Sequence, residues 1–308
     1  FIIVLGTTYS GSQAIFDYLS LRKDLYDPMI GTEYQLPQMP NGLMTLEAIS
    51  GKSFRAPTVD YVIKQFQNNI SKLSRPPTRW KYGKNYTQLL PTFENAINHF
   101  VNEITKINIP MKLEWKKLVE NDYKYFFTKL KNKIGFKEKV STTSIICTKE
   151  EFINASQKLH KNIFLKDSNK LPVLLNQAGS GWNPVESTKY FLNRKIILVN
   201  RDPRDQFVEL KQYKKASDVN SFIYWYKEMQ KRIKNADSNF FVQIQFEDFV
   251  INHMEEINSL CNYLSIDKKI LSQDESKNSM KNIGKYTKFL NNKERELIEK
   301  NLSEYLYV

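Results

Sequence analysis

The apolar residues of this chain fall into two rhythms. Phe1–Leu5 (FIIVL) is an unbroken apolar run of strand length, as expected of a parallel strand buried on both faces. Gly6–Gly11 follows as a small-residue turn, and from Ser12 to Leu21 the positions Ala14, Ile15, Tyr18 and Leu19 recur at helical spacing. The chain therefore opens strand, small-residue loop, helix. Residues 22–57 read as loops, broken by Pro28, Gly31, Pro37, Pro40 and Gly42, around one short helix from Leu43 to Ile49. From Val59 to Leu159 the rhythm is helical. It predicts helices over 59–73, 87–107, 113–133 and 149–160, punctuated by Pro76, Pro77 and Pro110. The aromatic positions of this block (Tyr61, Phe66, Phe93, Phe100, Trp115, Tyr123, Phe126 and Phe127) are expected to be core stripes of those helices.

Beyond that block the strand rhythm returns. Leu171–Leu175 (LPVLL), Lys195–Val199 (KIILV) and Phe240–Phe246 predict strands, and 184–192, 203–213, 217–234, 253–264 and 292–306 predict helices. Strands alternating with helices point to an α/β fold, a three-layer arrangement with a parallel sheet between helices. No linker-like stretch divides the chain, which reads as a single domain over 1–308 with a mainly helical insertion over about 50–165.

Composition narrows the class. With 308 residues, 41% of them hydrophobic and 13% aromatic, the chain can build a large core and is not a disordered segment. Cys147 and Cys261 are its two cysteines; they form neither a disulfide framework nor a zinc-ligand pattern. No run approaches the ~18 apolar residues of a membrane-spanning helix. The formal charge of +13 leaves two readings open. One is solvated lysines in a Lys- and Asn-rich chain. The other is an anionic partner such as a nucleotide, an acidic glycan, nucleic acid or a membrane surface.

Three segments carry candidate chemistry. The first, Gly6-Thr7-Thr8-Tyr9-Ser10-Gly11-Ser12-Gln13, ends at a helix N-terminus, where backbone amides and the helix dipole favour a phosphate or sulfate and where Ser10 and Ser12 add hydroxyls. Its G-x-x-x-x-G spacing is that of a nucleotide-triphosphate loop, but Ser12-Gln13 stands where Lys-Ser/Thr would grip the β/γ-phosphates and magnesium, which argues against a triphosphatase. No G-x-G-x-x-G is present, which argues against a dinucleotide site. The second segment is Arg201-Asp202-Pro203-Arg204-Asp205 after the KIILV strand, where two arginines suit bidentate recognition of an anion or, alternatively, form a capping cluster with the two aspartates. The third is Ser279–Phe289, in which Lys281, Lys285 and Lys288 surround Gly284.

In this order the three segments resemble the sulfotransferases that use 3′-phosphoadenosine-5′-phosphosulfate (PAPS). Tyr9-Ser10-Gly11-Ser12-Gln13-Ala14 stands where that family has its 5′-phosphosulfate loop, and residues 201–205 match its R-D-P-R-D segment letter for letter. Leu175-Asn176-Gln177-Ala178, Asn183-Pro184, Phe246-Glu247-Asp248-Phe249 and Asn282-Ile283-Gly284-Lys285-Tyr286 look like its further landmarks. The resemblance frames most of the chain but not residues 50–165. It implies the P-loop-like sulfotransferase fold, PAPS as donor with no metal required, and a hydroxyl acceptor, a carbohydrate or polysaccharide by analogy with glycan-type members. It also implies no nucleic-acid partner and a cytoplasmic bacterial setting, with a luminal catalytic domain as the alternative.

The donor-binding residues it implies are Thr8, Tyr9, Ser10, Gly11, Ser12, Gln13, Ala14, Arg201, Glu209, Lys281, Gly284 and Lys285. The catalytic ones are Glu33 as base, with Asp27 as its nearby rival, and Lys166 as the cation for the leaving oxygen. His99, His160 and His253 sit in helical patterns away from these loops and are expected to be surface or core residues. Two positions depart from the family pattern. The loop Lys or Arg is Tyr9, and the 3′-phosphate Ser is Glu209, which would repel a phosphate unless turned away or paired. A nucleotide-binding protein with degraded catalysis and a kinase-like phosphotransferase therefore stay open.

Overall fold

The opening apolar run is strand β1 (Ile2–Gly6), and it lies in the middle of a parallel sheet. Its neighbours are β2 (Leu174–Asn176) on one side and β3 (Lys195–Asn200) on the other, with β4 (Phe241–Gln245) beyond β3. Register runs Ile2↔Leu174, Ile2↔Lys195 and Ile196↔Phe241. One set of alternate residues, Ile2, Val4, Leu174, Ile197 and Val199, packs with Ile15, Phe16 and Leu19 of helix α1 (Ser12–Ser20) and with Phe249, Ile257 and Leu260. The other set, Ile3, Leu5, Leu175, Ile196 and Leu198, is equally excluded from water. Both faces are thus covered, which is why these strands read as continuous apolar runs rather than alternating ones.

The computed structural model describes residues 1–52, 56–109, 122–134, 142–165, 170–216, 218–268 and 279–307. Its contacts gather into two units, Phe1–Gln38 with Phe164–Val308, and Met39–Ile163. The first holds the parallel sheet. As the strand-helix alternation predicts, the fold is α/β. The helices predicted around the RDPRD segment and after it are α2 (Pro203–Gln212) and α3 (Val219–Lys234).

The second unit is not all helical. Ala56–Ser74 and Lys149–His160 are helices close to the predicted bounds, but the predicted helix over 87–107 is two helices, Tyr86–Leu89 and Phe93–Ile104. Pro91 separates them, and Leu90 before it takes φ −130°, ψ 84°, as the residue ahead of a proline is pushed out of helical backbone. From Thr105 the chain becomes a strand, Thr105–Ile109, paired antiparallel with Thr142–Ile146. Both strands are rich in β-branched residues, which pack better on a pleated surface than in a helix.

The aromatic residues divide too. Phe66, Phe93 and Phe100 are buried, and Phe100 meets Phe66 and Phe152 edge-on at 6.1 and 5.6 Å. Tyr61, Tyr123, Phe126 and Phe127 are exposed, which corrects the expectation that they are core. Periodicity shows which residues share a helix face but not whether anything packs against it. Trp115 lies outside the described residues.

Ile197→Ala in the sheet core should lower the unfolding free energy by about 2–5 kcal/mol. Phe126→Ala should change it by no more than about 0.5 kcal/mol. Urea denaturation of the two variants checks both.

Candidate functional site

In an open parallel sheet, ligands bind beyond the carboxyl ends of the strands, where the chain leaves one strand for neighbours on opposite sides. Here that strand is β1, and the loop from its end to α1 lines an open cleft of about 1340 Å³ whose walls all belong to the first unit. The loop is tightly curled. Thr8, Tyr9 and Gly11 lie at φ 25°, 60° and 83°. Positive φ at two successive residues with side chains is costly, and it persists only where the surroundings fix it. Gln206 of α2 does so by donating from Nε2 to the carbonyls of Thr7 and Thr8. Arg201 Nη1 donates to the Tyr9 carbonyl at 3.0 Å. Gln177 holds the base of the loop, accepting from the Gly6 amide at 3.3 Å and donating to Ser12 Oγ at 2.8 Å.

This curl supplies anion-binding groups. Gly11 is the N-cap of α1 and no side chain caps that end, so the first amides of the helix lack an intrahelical acceptor. Ser10 Oγ accepts from the Thr7 amide and Ser12 Oγ accepts from Gln177, so the O–H of each remains a donor. Gly11 has two reasons to be glycine: its positive φ, and the ring of Phe246, which a Cβ would strike. Gly181 crosses the end of β1 so closely that a Cβ there would come within 2.7 Å of the Gly6 carbonyl oxygen.

Arg201, from the end of β3, is almost fully buried, and its guanidinium lies 5.2 Å from the ring centre of Phe246. Besides Tyr9 it bonds the Asn282 carbonyl at 2.7 Å, while its Nε–H is buried without a partner. Glu209 is 3.7 Å from Arg201 and accepts from Lys285 Nζ at 2.7 Å. The segment bearing Lys285 is tied to α2 through Asp205, which accepts from the amides of Gly284 at 2.7 Å and Tyr286 at 2.9 Å.

Of the residues expected at the site, Thr8 through Ala14, Glu33, Arg201, Glu209 and Lys285 all line the cleft. Lys281 is exposed and, like Gly284, is not among the lining residues. Lys166 lies outside the described residues. Glu33 is placed by Asn176, whose carbonyl accepts from the Tyr34 amide at 2.9 Å and whose side chain donates to Gln13 at 2.9 Å. Asp27 is not a lining residue; its carboxylate accepts from the amides of Met29 and Gly31. Arg204 is structural: it pairs with Asp202 at 2.6 Å and Glu299 at 2.9 Å and bonds the Tyr307 carbonyl. Burial opposes its charge, but these partners prevail and hold its pKa above the ordinary value. His160 and His253 are buried and His99 is exposed, and none of them is among the lining residues of the cleft.

Sequence reasoning missed the aromatic wall. Tyr213 stacks on Tyr9 at 5.0 Å with planes 9° apart, and Trp225 meets Trp182 at 5.7 Å and Phe222 at 5.8 Å. Two of the four tryptophans of the chain line this cleft, and that scarcity was an available signal. Lys215 was also missed. Among the described residues, cations and carboxylates balance in the lining: Arg201, Lys215 and Lys285 stand against Asp17, Glu33 and Glu209. Among the described residues no group of three or more His, Cys, Asp or Glu is placed to hold a metal ion, and no helix is long and apolar enough to cross a membrane.

No family model and no curated protein matches the chain. Solved structures to which it is similar include sulfotransferases. The sulfotransferase domain from the curacin biosynthetic pathway is 13% identical with a TM-score of 0.44, covering 99% of this chain and 98% of that one. The sulfotransferase domain from the Synechococcus PCC 7002 olefin synthase is 11% identical with a TM-score of 0.41, covering 88% and 78%. Sulfotransferase STF9 from Mycobacterium avium is 10% identical with a TM-score of 0.40, covering 99% and 75%. Likeness at this level carries no inference about substrate or mechanism, which rest on the residues of the cleft.

Gly11→Ala should cost about 1–3 kcal/mol of stability through its positive φ and weaken anion binding at the loop, read by thermal melting with and without an added nucleotide. Asp205 gives a pH test. Burial raises its pKa above the ordinary 3.8 against the two amide bonds that favour the charged form. Folding therefore takes up protons at this group. Its contribution is full at low pH and is lost as pH rises from 3.8 through the raised value. The stability of the unmodified chain relative to Asp205→Asn should accordingly fall with pH across that window and level off above it, as measured by urea denaturation at about pH 4 to 8.

Proposed function

We propose that the chain is a sulfotransferase that moves a sulfuryl group from a nucleoside 5′-phosphosulfate to a hydroxyl of an acceptor. The form of donor that the sequence resemblance implies is PAPS, and the acceptor it implies is a carbohydrate. One observation supports this reading above the others. Three segments far apart in sequence meet at one cleft, with Arg201 bonded both to the loop after β1, at Tyr9, and to the segment before Gly284, at Asn282.

In-line sulfuryl transfer needs a seat for the departing phosphate, a base for the acceptor hydroxyl and alignment of the two. The curled loop, the N-terminus of α1 and the Ser10 and Ser12 hydroxyls would hold the phosphate. Glu33, on the same cleft, would take the hydroxyl proton as the acceptor oxygen attacks sulfur. Tyr9 brings a hydroxyl where the family pattern has a cation, so positive charge for the leaving oxygen would come from Lys215. The aromatic wall of Trp182, Phe222 and Trp225 offers flat apolar surface to a base or a sugar ring. That residues 50–165 help to choose the acceptor stays part of the proposal, on the sequence alone.

The balanced charge of the lining favours a second reading, a nucleotide-binding protein whose catalysis has decayed. Incubation with 35S-labelled adenosine 5′-phosphosulfate or PAPS and a panel of glycans and small alcohols separates the two. Transfer is expected, and Glu33→Gln should reduce it by about 10²–10⁴-fold while leaving nucleotide binding in place. Binding without transfer supports the second reading. Failure to bind any adenosine phosphate overturns both.

A further inference from the structure

We infer that Glu209 is a built-in anion that fills the second cation site of the cleft, so that the donor is a nucleoside 5′-phosphosulfate with no phosphate on the ribose. This deepens the proposed sulfuryl transfer and rests on it.

Among the described residues the cleft has two built places for negative charge; the remaining lining cation, Lys215, is exposed. One is the curled loop, which is lined by amides and hydroxyls and carries no carboxylate of its own. The other is the pair Arg201 and Lys285, and a carboxylate already occupies it. Glu209 lies 3.7 Å from Arg201 and 2.7 Å from Lys285, and the three side chains are only 11%, 4% and 23% exposed. Nothing in this cluster is loosely held. Glu209 sits on α2, and Asp205, one turn earlier on the same helix, fixes the backbone on both sides of Lys285 through the amides of Gly284 and Tyr286. Turning Glu209 away would break both ion pairs at a nearly buried position, and removing the partner of a buried charge is expensive.

A phosphate monoester brings about 1.5 to 2 negative charges at neutral pH. Arg201 and Lys285, already offset by one carboxylate, keep a single net positive charge between them. A second phosphate here would stand beside Glu209 in a site largely shielded from water, where like charges cannot both remain ionised without cost. A neutral ribose hydroxyl brings no charge and can donate a hydrogen bond to the Glu209 carboxylate, which lines the cleft. The cluster thus suits an unphosphorylated ribose and disfavours a phosphorylated one.

Calorimetric titration of the full chain with adenosine 5′-phosphate and with adenosine 3′,5′-bisphosphate tests the inference. The unmodified chain should bind the monophosphate more tightly by about tenfold or more, because like-charge juxtaposition costs several kcal/mol. Glu209→Ser should reverse the order by strengthening the bisphosphate and weakening the monophosphate, whose ribose hydroxyl loses its carboxylate acceptor. Glu209→Gln, which keeps the shape and removes the charge, should shift the ratio in the same direction. Tighter binding of the bisphosphate by the unmodified chain overturns the inference while leaving the proposed function standing, as does a ratio that neither variant moves. If neither nucleotide binds to the folded protein, the proposed function fails and the inference fails with it.

Discussion

The buried guanidinium of Arg201 joins the parts of the cleft. Its two terminal nitrogens bond the carbonyls of Tyr9 and Asn282, 192 and 81 residues away in the chain, and its face lies over Phe246. A planar, permanently charged group can satisfy carbonyls in two directions and still stack on a ring, which a lysine cannot do. With Gln206 on the other side of the loop, it keeps Thr8 and Tyr9 in backbone conformations that they would not hold alone. The curl of the loop, and so the direction in which its amides face, depends on that clamp.

Within the segment Arg201–Glu209 the work is divided finely. Asp202 caps α2 and pairs with Arg204; Arg204 ties in Glu299 and the Tyr307 carbonyl; Asp205 holds the backbone of Gly284 and Tyr286; Gln206 holds the loop after β1. Only Arg201 and Glu209 of these turn to the cleft. Most of the RDPRD segment therefore builds the frame and does not touch a ligand. A letter-for-letter match in it says more about architecture than about donor chemistry.

This division explains what could be read from the sequence. Continuous apolar runs bounded by small residues pointed to the parallel sheet, and the loop after the first of them to the proposed anion seat, because both depend on local pattern. The hairpin of Thr105–Ile109 and Thr142–Ile146 was not legible, since its strands are joined by a long stretch and each is stabilised by the other rather than by its own rhythm. Tyr123, Phe126 and Phe127 were misread because spacing defines a face but cannot say that the face lacks a cover. The basic residues around Gly284 were legible only as a group. That Lys285 reaches Glu209 while Lys281 stays outside the cleft depends on a backbone held by Asp205.

The charge of the whole chain and the charge of the cleft are separate matters. The sequence carries +13, yet among the described residues the charged side chains lining the cleft are three cations and three carboxylates. Long-range attraction of an anion can come from the surface as a whole. Selection among anions has to come from the few groups that a bound ligand would touch. There the decisive feature is where the carboxylates are missing. The loop after β1 is free of them, whereas the Arg201–Lys285 pair is not. In the proposed reading, a site built this way holds a single anionic group and treats a second one as a competitor of its own side chain.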